Sequence, residues 1–224
     1  MKHYGLIGQR LGHSWSRMYF TMKFVREGID ADYRLIELES LENGLPEDLN
    51  GYNVTIPYKE AIIPHLRALD PIAAAIGAVN TVKNGVGYNT DWIGFKEAIN
   101  ELSNYGIMEL SRALILGRGG AAKAVQYALG DKAEMISARG KIAVDLSRYD
   151  LIVNATPLGM FPNETTYPDI DYAALTPKHI LFDCVYNPEE TEFMRRGKEQ
   201  GATVIGGLKM LEAQAEASWK IWNN

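Results

Sequence analysis

Short apolar runs with the length of β-strands alternate along the chain with segments whose apolar residues recur at helical spacing. Strand-like runs lie at residues 3–7, 33–38, 51–56, 133–138 and 203–205, and others begin near residues 112, 151 and 180. Amphipathic or alanine-rich segments follow several of them. Alternating strands and helices are typical of parallel sheets, so the pattern predicts an α/β fold.

The first predicted helix follows the loop at residues 8–16, and Gly28 is placed to end it. One face of this helix carries Met18, Met22 and Val25. Ser14 or Ser16 can cap its first turn, which explains one hydroxyl but not both. Because open α/β sheets bind ligands where a strand gives way to a helix, both serines are candidate ligand contacts. His13, between them and the strand, is expected to pack in the loop.

Asn84-Gly85 separates two short alternating runs and predicts a two-residue type I′ hairpin. The resulting register pairs Lys83 with Val86, Val82 with Gly87, Thr81 with Tyr88, and Asn80 with Asn89. Residues opposite each other share a face, and the second residue along a strand keeps that face. Asn80, Asn89 and Asp91 would therefore present two carboxamides and a carboxylate, which suit a hydroxylated ligand. An exposed hairpin with a solvated polar face would give the same pattern, and Thr90 or Asp91 can also cap the next helix.

Lys59 falls in the first turn of a helix that Pro57 begins. A cation there opposes the helix macrodipole, so the position is not explained by helix stability. A solvated surface lysine is one interpretation. The other is that Lys59, Thr55 and the hairpin side chains contribute to one site.

A second candidate site is a strand, glycine-rich turn and alanine-rich helix at residues 112–129. Gly117, Gly119 and Gly120 would let the backbone approach a pyrophosphate at the helix N-terminus. The third glycine of the dinucleotide fingerprint is replaced by Lys123, and a tight turn without nucleotide remains an alternative.

After the following strand, Arg139 occupies the place where NAD-binding folds have an acidic residue for the ribose 2′-hydroxyl. Guanidinium groups donate paired hydrogen bonds to phosphate oxygens, so Arg139, with Lys141 nearby, favours the 2′-phosphate of NADP.

The last predicted helix carries an apolar stripe at helical spacing, formed by Leu208, Leu211, Ala215, Trp219 and Trp222. Such stripes usually pack into a core. Gln214 lies off the stripe, where a solvated helix face is the simplest interpretation.

The composition excludes several classes of protein. The 224 residues are 46% hydrophobic, which is sufficient for one large or two small domains, with a boundary expected near residue 102. A net charge of −5 with scattered basic residues gives no nucleic-acid footprint. The single cysteine, Cys184, excludes an intrachain disulfide, no metal-ligand spacing is visible among the histidines, and no apolar run is long enough for a membrane span. These features predict a cytoplasmic protein.

Eight motifs in order along nearly the whole chain make the sequence resemble the shikimate dehydrogenase family. They are Gly12–Ser16, Asn53–Glu60, Gly77–Thr81, Asn89–Asp91, Gly117–Ala121, Asn154–Met160, Asp183–Asn187 and Gly207–Gln214. The resemblance implies an enzyme that reduces 3-dehydroshikimate to shikimate with NADPH. It implies a substrate domain at residues 1–102, a Rossmann-like NADP domain at 103–205, and a helix at 206–224 that returns to the first domain. The partner is a small molecule, and the protein is expected to be a monomer or homodimer.

The same resemblance implies roles for individual residues. Lys59 and Asp91 form the catalytic pair. The substrate carboxylate is bound by Ser14 and Ser16, and its hydroxyls and ring by Thr55, Asn80, Asn89, Tyr186 and Gln214. The pyrophosphate is held by Gly117, Arg118, Gly119, Gly120 and Ala121. Arg139 faces the 2′-phosphate, and the nicotinamide end is lined by Thr156, Cys184 and Gly207.

The sequence departs from the family pattern at several positions, most of them at the cofactor site. Arg17 replaces a proline after the second serine, and Arg118 replaces a small residue in the glycine turn. The usual Asn-Arg-Thr is Ala138-Arg139-Gly140, and residues 140–151 leave little room for a crossover helix. We expect weaker cofactor binding or a weaker NADP preference. A quinate/shikimate dehydrogenase using NAD, and a non-catalytic shikimate-binding protein, are the alternatives.

Overall fold

The computed structural model describes residues 1–12, 14–42, 44–100 and 110–224. The chain divides into two compact units, one formed by residues 1–90 and 215–224 and the other by residues 91–214. The boundary expected near residue 102, and His13, lie outside the described residues.

Eleven strands and seven α-helices are assigned in the described ranges. The strands are β1 (Lys2–Gly8), β2 (Ala31–Glu37), β3 (Gly51–Val54), β4 (Ala68–Leu69), β5 (Thr81–Lys83), β6 (Val86–Tyr88), β7 (Ala113–Leu116), β8 (Ala133–Ile136), β9 (Leu151–Asn154), β10 (Ile180–Asp183) and β11 (Thr203–Ile205). The helices are α1 (Trp15–Glu27), α2 (Tyr58–Ala61), α3 (Pro71–Ile76), α4 (Asp91–Ile99), α5 (Gly120–Leu129), α6 (Glu192–Glu199) and α7 (Leu208–Asn223). The predicted α/β class is confirmed.

The first unit contains a mixed six-stranded sheet in the order β2-β1-β3-β5-β6-β4. Strand β1 runs parallel to both β2 and β3, whereas β5 is antiparallel to β3 and β6. The predicted hairpin register is confirmed for its three strand pairs. Asn84 and Gly85 have φ values of 50° and 71°, as a type I′ turn requires.

Helix α1 begins and ends as the sequence predicts. The Ser14 hydroxyl accepts a hydrogen bond from the Arg17 amide at 3.4 Å, and Gly28 ends the helix with φ of 65°. The face that carries Met18, Met22 and Val25 is exposed, however, and does not enter the core. Larger aromatic side chains on the opposite face, among them Phe20 and Phe24, are buried instead.

The second unit is built on a five-stranded parallel sheet in the order β11-β10-β9-β7-β8. Because β8 and β9 flank β7, the direction of winding reverses there, and this is where open α/β sheets bind ligands. The connection from β8 to β9 has only a 3₁₀ turn at Leu146–Arg148 and no α-helix in residues 137–150, all of which are described. The expected loss of a crossover helix is therefore confirmed.

Helix α7 confirms the predicted return of the C-terminus to the first unit. Ala215 and Trp222 are buried in the core of that unit with Tyr4 and Phe20. Leu208, at the start of the predicted stripe, is exposed. None of the helices in the described ranges combines the length and apolarity that crossing a bilayer needs.

Candidate functional site

Five candidate side chains of the first unit belong to segments that meet at one edge of its sheet. Ser14 follows the carboxyl end of β1, and Thr55 follows that of β3. Because β5 is antiparallel to β3, Asn80 before β5 and Asn89 after β6 belong to the same edge. Lys59 lies one turn beyond Thr55, in α2. The structure thus brings these predicted residues to the sheet edge where ligands bind in open α/β folds.

Backbone hydrogen bonds tie these segments together. The Thr55 amide donates to the Ile7 carbonyl at 2.9 Å, and the Val79 amide donates to the Lys59 carbonyl at 2.7 Å. The Val54 amide similarly donates to the Asn80 carbonyl at 2.9 Å. The start of α2 is therefore fixed against the base of the hairpin, and the half-buried Lys59 is not a freely solvated lysine.

Asn80, Asn89 and Asp91 are each less than 5% exposed, which excludes the alternative of a solvated hairpin face for them. The Asn89 carboxamide donates to the Ala78 carbonyl at 2.9 Å. Asp91 is the first residue of α4, where a carboxylate interacts favourably with the helix dipole. These polar groups are organised by the fold.

A buried polar network surrounds Asn80 and includes residues that sequence reasoning did not select. The Asn80 side-chain oxygen accepts from the Thr90 amide at 2.7 Å, and its nitrogen donates to the Thr90 hydroxyl at 2.9 Å. Asn53 donates to the Ser218 hydroxyl at 2.9 Å, which lies 2.7 Å from the Thr81 hydroxyl. In the sequence, this network is indicated only by polar residues that lie within the predicted strands and the last predicted helix.

The candidate cofactor residues of the second unit, and the candidate substrate residue Tyr186, follow the carboxyl ends of its five parallel strands. Gly117 to Ala121 come after β7, Arg139 after β8, Thr156 after β9, Cys184 and Tyr186 after β10, and Gly207 after β11. Neighbouring parallel strands end at the same edge of the sheet, so all of these residues belong to loops at that one edge.

A cleft of about 810 Å³ opens at this edge. Its ten described lining residues are Gly117, Arg118, Gly119, Ser137, Ala138, Arg139, Gly140, Thr156, Pro157 and Leu158. Two of them are arginines and none is acidic, so the cleft suits an anionic ligand.

The glycine turn fits the phosphates of a dinucleotide. Gly117 has φ of 130°, and a Cβ there would lie 2.9 Å from the Ala155 carbonyl oxygen, so only glycine allows this approach. Gly119 is the N-cap of α5, and no side chain in the described ranges caps it. A Cβ at Gly119 would meet nothing within 4 Å, which leaves the first turn of α5 accessible.

Asp183 organises the other side of this edge through buried hydrogen bonds. Its carboxylate accepts from the Asn154 side chain at 3.0 Å, the Val185 amide at 2.9 Å and the Thr191 hydroxyl at 2.6 Å. Asn154 in turn accepts from the Thr156 hydroxyl at 2.6 Å. Burial nevertheless raises the pKa of Asp183 to about 7. Sequence reasoning assigned no role to Asp183, whose signal was a charged residue ending an apolar strand.

The remaining candidates of the second unit are at least partly buried. A Cβ on Gly207 would lie 2.5 Å from the Cys184 carbonyl oxygen, so the chain packs tightly there. Tyr186 is half-buried, and desolvation raises the pKa of its hydroxyl. Gln214 is only 8% exposed and donates to the Leu211 carbonyl at 2.8 Å. Gln214 therefore does not lie on a solvated helix face.

Comparisons with known proteins relate both units to one family. A family model described as the shikimate dehydrogenase substrate binding domain matches residues 6–82. An NADP(+) shikimate dehydrogenase from Bacillus cereus (strain G9842) is 36% identical over 255 residues, covering 98% of this chain and 91% of the relative. Since the alignment is longer than the 224 residues here, the relative carries insertions.

Two solved structures share the architecture. Shikimate 5-dehydrogenase from Thermus thermophilus, in complex with NADP(H) and shikimate, has a TM-score of 0.86 and 29% identity, covering 99% of this chain and 93% of that one. Quinate dehydrogenase from Corynebacterium glutamicum, in complex with NAD, has a TM-score of 0.80 and 28% identity with the same coverage. With the Bacillus relative aligned over nearly both full lengths, the chain belongs to the shikimate dehydrogenase family.

Proposed function

We propose that this protein catalyses the reversible, NADP-dependent reduction of 3-dehydroshikimate to shikimate. The observation that carries the proposal is the collection of Ser14, Thr55, Lys59, Asn80 and Asn89 at one sheet edge, in a chain of this family. The enzyme acts in the cytoplasm as a monomer or homodimer, which size-exclusion chromatography with light scattering distinguishes.

Substrate binding uses charged, hydroxyl and amide groups for distinct parts of the molecule. The hydroxyls of Ser14 and Ser16 bind the carboxylate. The ring and its hydroxyls are bound by Thr55, Asn80, Asn89, Tyr186 and Gln214. Because Asn80 and Asn89 are held by buried hydrogen bonds, they lose little conformational entropy when substrate binds.

Lys59 supplies the proton. Reduction of the ketone builds negative charge on its oxygen, and an ammonium group beside it stabilises that charge and donates the proton. In the reverse direction, the Lys59 amine accepts the proton from the hydroxyl. Asp91 is the counter-charge that orients the amine.

The bound cofactor supplies the hydride. The backbone of residues Gly117–Ala121 holds the pyrophosphate at the start of α5, and Arg139 faces the 2′-phosphate. Thr156, Cys184 and Gly207 line the nicotinamide end. Support for this assignment comes from the anionic-ligand character of the 810 Å³ cleft.

Substitution of Lys59 by alanine tests the mechanism. We expect Lys59→Ala to lower kcat at least about 100-fold, the low end for general acid-base catalysis, with little change in the Kd for shikimate. The measurement is nicotinamide absorbance with shikimate and NADP, paired with calorimetry for shikimate. The exposed lysine variant Lys178→Ala is the control. Normal turnover in Lys59→Ala would remove Lys59 from the mechanism.

The same assay separates the alternatives. The similarity to an NAD-bound quinate dehydrogenase and the short β8–β9 connection favour measuring quinate and NAD in parallel. Faster turnover of quinate with NAD would overturn the proposed substrate and cofactor. Shikimate binding with no absorbance change for any pair would instead indicate a non-catalytic binding protein.

A further inference from the structure

The 2′-phosphate side of the cofactor cleft has fewer side-chain donors than the family motif provides. Ala138 and Gly140 flank Arg139 where asparagine and threonine are usual, and neither offers a side-chain hydrogen bond. No α-helix follows in residues 137–150. Of the two basic residues after β8, Arg139 lines the cleft and Lys141 does not, so Arg139 would have to recognise the phosphate alone unless another element contributes.

Arg118 is placed to contribute. It follows β7 by two residues and Arg139 follows the neighbouring parallel strand β8 by three, and both line the same cleft. The Gly117 amide donates to the Ile136 carbonyl at 2.9 Å, which joins the two loops at their bases. The two arginines therefore approach the cleft from adjacent strand ends.

Both guanidinium groups are uncompensated. Arg118 and Arg139 are exposed, and neither side chain has a hydrogen bond or ion pair with any residue in the described ranges. Three other arginines of the second unit are paired with glutamates: Arg112 with Glu134, and both Arg195 and Arg196 with Glu192. Two unpaired guanidinium groups in a cleft without carboxylates attract a multiply charged anion.

We propose that Arg118 and Arg139 together clamp the 2′-phosphate of NADP, with Arg118 replacing the donors lost at residues 138 and 140. This inference rests on the proposed function and names the specificity determinant within it. A phosphate monoester has three terminal oxygens and carries close to two negative charges, which can accept both guanidinium forks. In that case the wild-type protein keeps its preference for NADP, and the weaker preference expected from the sequence would be seen only when Arg118 is removed.

A binding experiment without turnover tests the clamp. Calorimetry compares adenosine 2′,5′-bisphosphate with adenosine 5′-monophosphate, which lacks the 2′-phosphate. We expect Arg118→Ala to weaken binding of the bisphosphate about 10- to 100-fold, as loss of a charge-assisted hydrogen bond predicts, and to leave the monophosphate unchanged. Arg139→Ala should behave alike, and Arg118→Lys should recover part of the loss. Arg148→Ala, an exposed arginine on the same connection, is the control.

The outcomes distinguish the possible roles of Arg118. Equal weakening of both nucleotides would assign Arg118 to the pyrophosphate and overturn the clamp, as would no weakening of either. The ratio of kcat/KM with NADP to that with NAD then measures the cofactor selectivity of each variant. If the wild-type protein binds the bisphosphate through Arg118 but oxidises no shikimate, the clamp stands and the proposed function fails.

Discussion

Asp183 is a buried carboxyl group that is fully hydrogen bonded and yet costly to ionise. Three donors, from Asn154, Val185 and Thr191, favour its charged form, but burial opposes them more strongly. The Thr191 hydroxyl also caps α6 by accepting from the Met194 amide at 3.3 Å. Asp183 therefore links the start of α6 to the loop that carries Thr156, and its protonation state affects both.

The raised pKa of Asp183 predicts how stability changes with pH. Its folded-state pKa of about 7 lies above the unfolded value of 3.8, so the native state binds more protons between these values. Asp183 therefore does not reduce the free energy of unfolding below about pH 4. As the pH rises from there through 7, its ionisation lowers the free energy of unfolding progressively, by a few kcal/mol at most. Asp183→Asn, which mimics the neutral acid, should lose less stability across this range than the wild type. Urea unfolding at pH 4 to 8 measures both curves.

The quantity compared is the difference in the free energy of unfolding between the wild type and Asp183→Asn at each pH, so the contributions of other titrating groups cancel. Glu192 is such a group, with the opposite pH dependence, because hydrogen bonding to Arg195 lowers its pKa to about 2. Asp171→Asn, at an exposed position, serves as the control. Parallel curves for wild type and Asp183→Asn would contradict the raised pKa.

At the scale of single residues, sequence reasoning found groups but not their partners. It selected Asn80 and Asn89 from hairpin geometry, since a two-residue turn fixes the register. It could not find Ser218, which lies 137 residues from Thr81 and meets it only through the return of α7. It also left Asp183 without a role, because burial and donor count depend on the folded neighbours.

Among the elements, α7 has the most consequences for the site. Its last nine residues, 215–223, belong to the first unit, where Trp222 donates to the Val82 carbonyl at 3.1 Å. A Cβ on Gly51 would lie 2.3 Å from the Trp222 ring, so β3 has glycine where this helix crosses it. Helix α7 therefore completes the core under the sheet edge that carries Asn80.

Ser218 is the polar contact of α7 with that core, and its removal is informative. Ser218→Ala leaves the side-chain nitrogen of Asn53 without this acceptor and breaks contacts with Thr81 and Thr90. Asn53 keeps the Asn80 carbonyl and the Thr81 hydroxyl as acceptors, so we expect a loss of about 0.5–1.5 kcal/mol in the free energy of unfolding, the net contribution of a typical hydrogen bond. Chemical denaturation followed by tryptophan fluorescence measures it. Lys220→Ala, exposed on the same helix, should change stability little, and equal effects of both would contradict the network.

Local sequence signals predicted where turns and helices begin and end better than they predicted which face of a helix is buried. The Asn84-Gly85 turn and the Gly28 cap are encoded within a few residues and were predicted correctly, and Ser14 is the one of the two predicted N-cap candidates, Ser14 and Ser16, that caps the helix. The orientation of α1 was not, because its sequence carries two apolar stripes. The buried stripe includes Lys23, whose amine contacts Glu216, 193 residues away, at 3.0 Å. A contact of that separation has no signal in a local pattern.

For the molecule as a whole, each unit carries most of its candidate residues at one edge of one sheet, whereas Asp91 and Gln214 of the second unit lie in helices α4 and α7. In the first unit this edge combines parallel and antiparallel strand ends, and in the second it joins five parallel ones. The strand-helix alternation predicted the α/β class. It did not predict that residues 215–224 complete the first core, which the family resemblance supplied.

The two edges predict separate footprints for the two ligands. A ligand that binds only the native state suppresses opening, so exchange of protected amides slows up to about 100-fold when its concentration is about 100 times its Kd. Shikimate should protect residues 51–60 and 78–90 most strongly, and NADP should protect 117–123 and 137–141. Hydrogen–deuterium exchange with each ligand alone measures this, with adenosine 5′-monophosphate as a control that should spare residues 137–141. If NADP left the glycine turn exchanging at its ligand-free rate, the cleft beside Arg118 would not be the cofactor site.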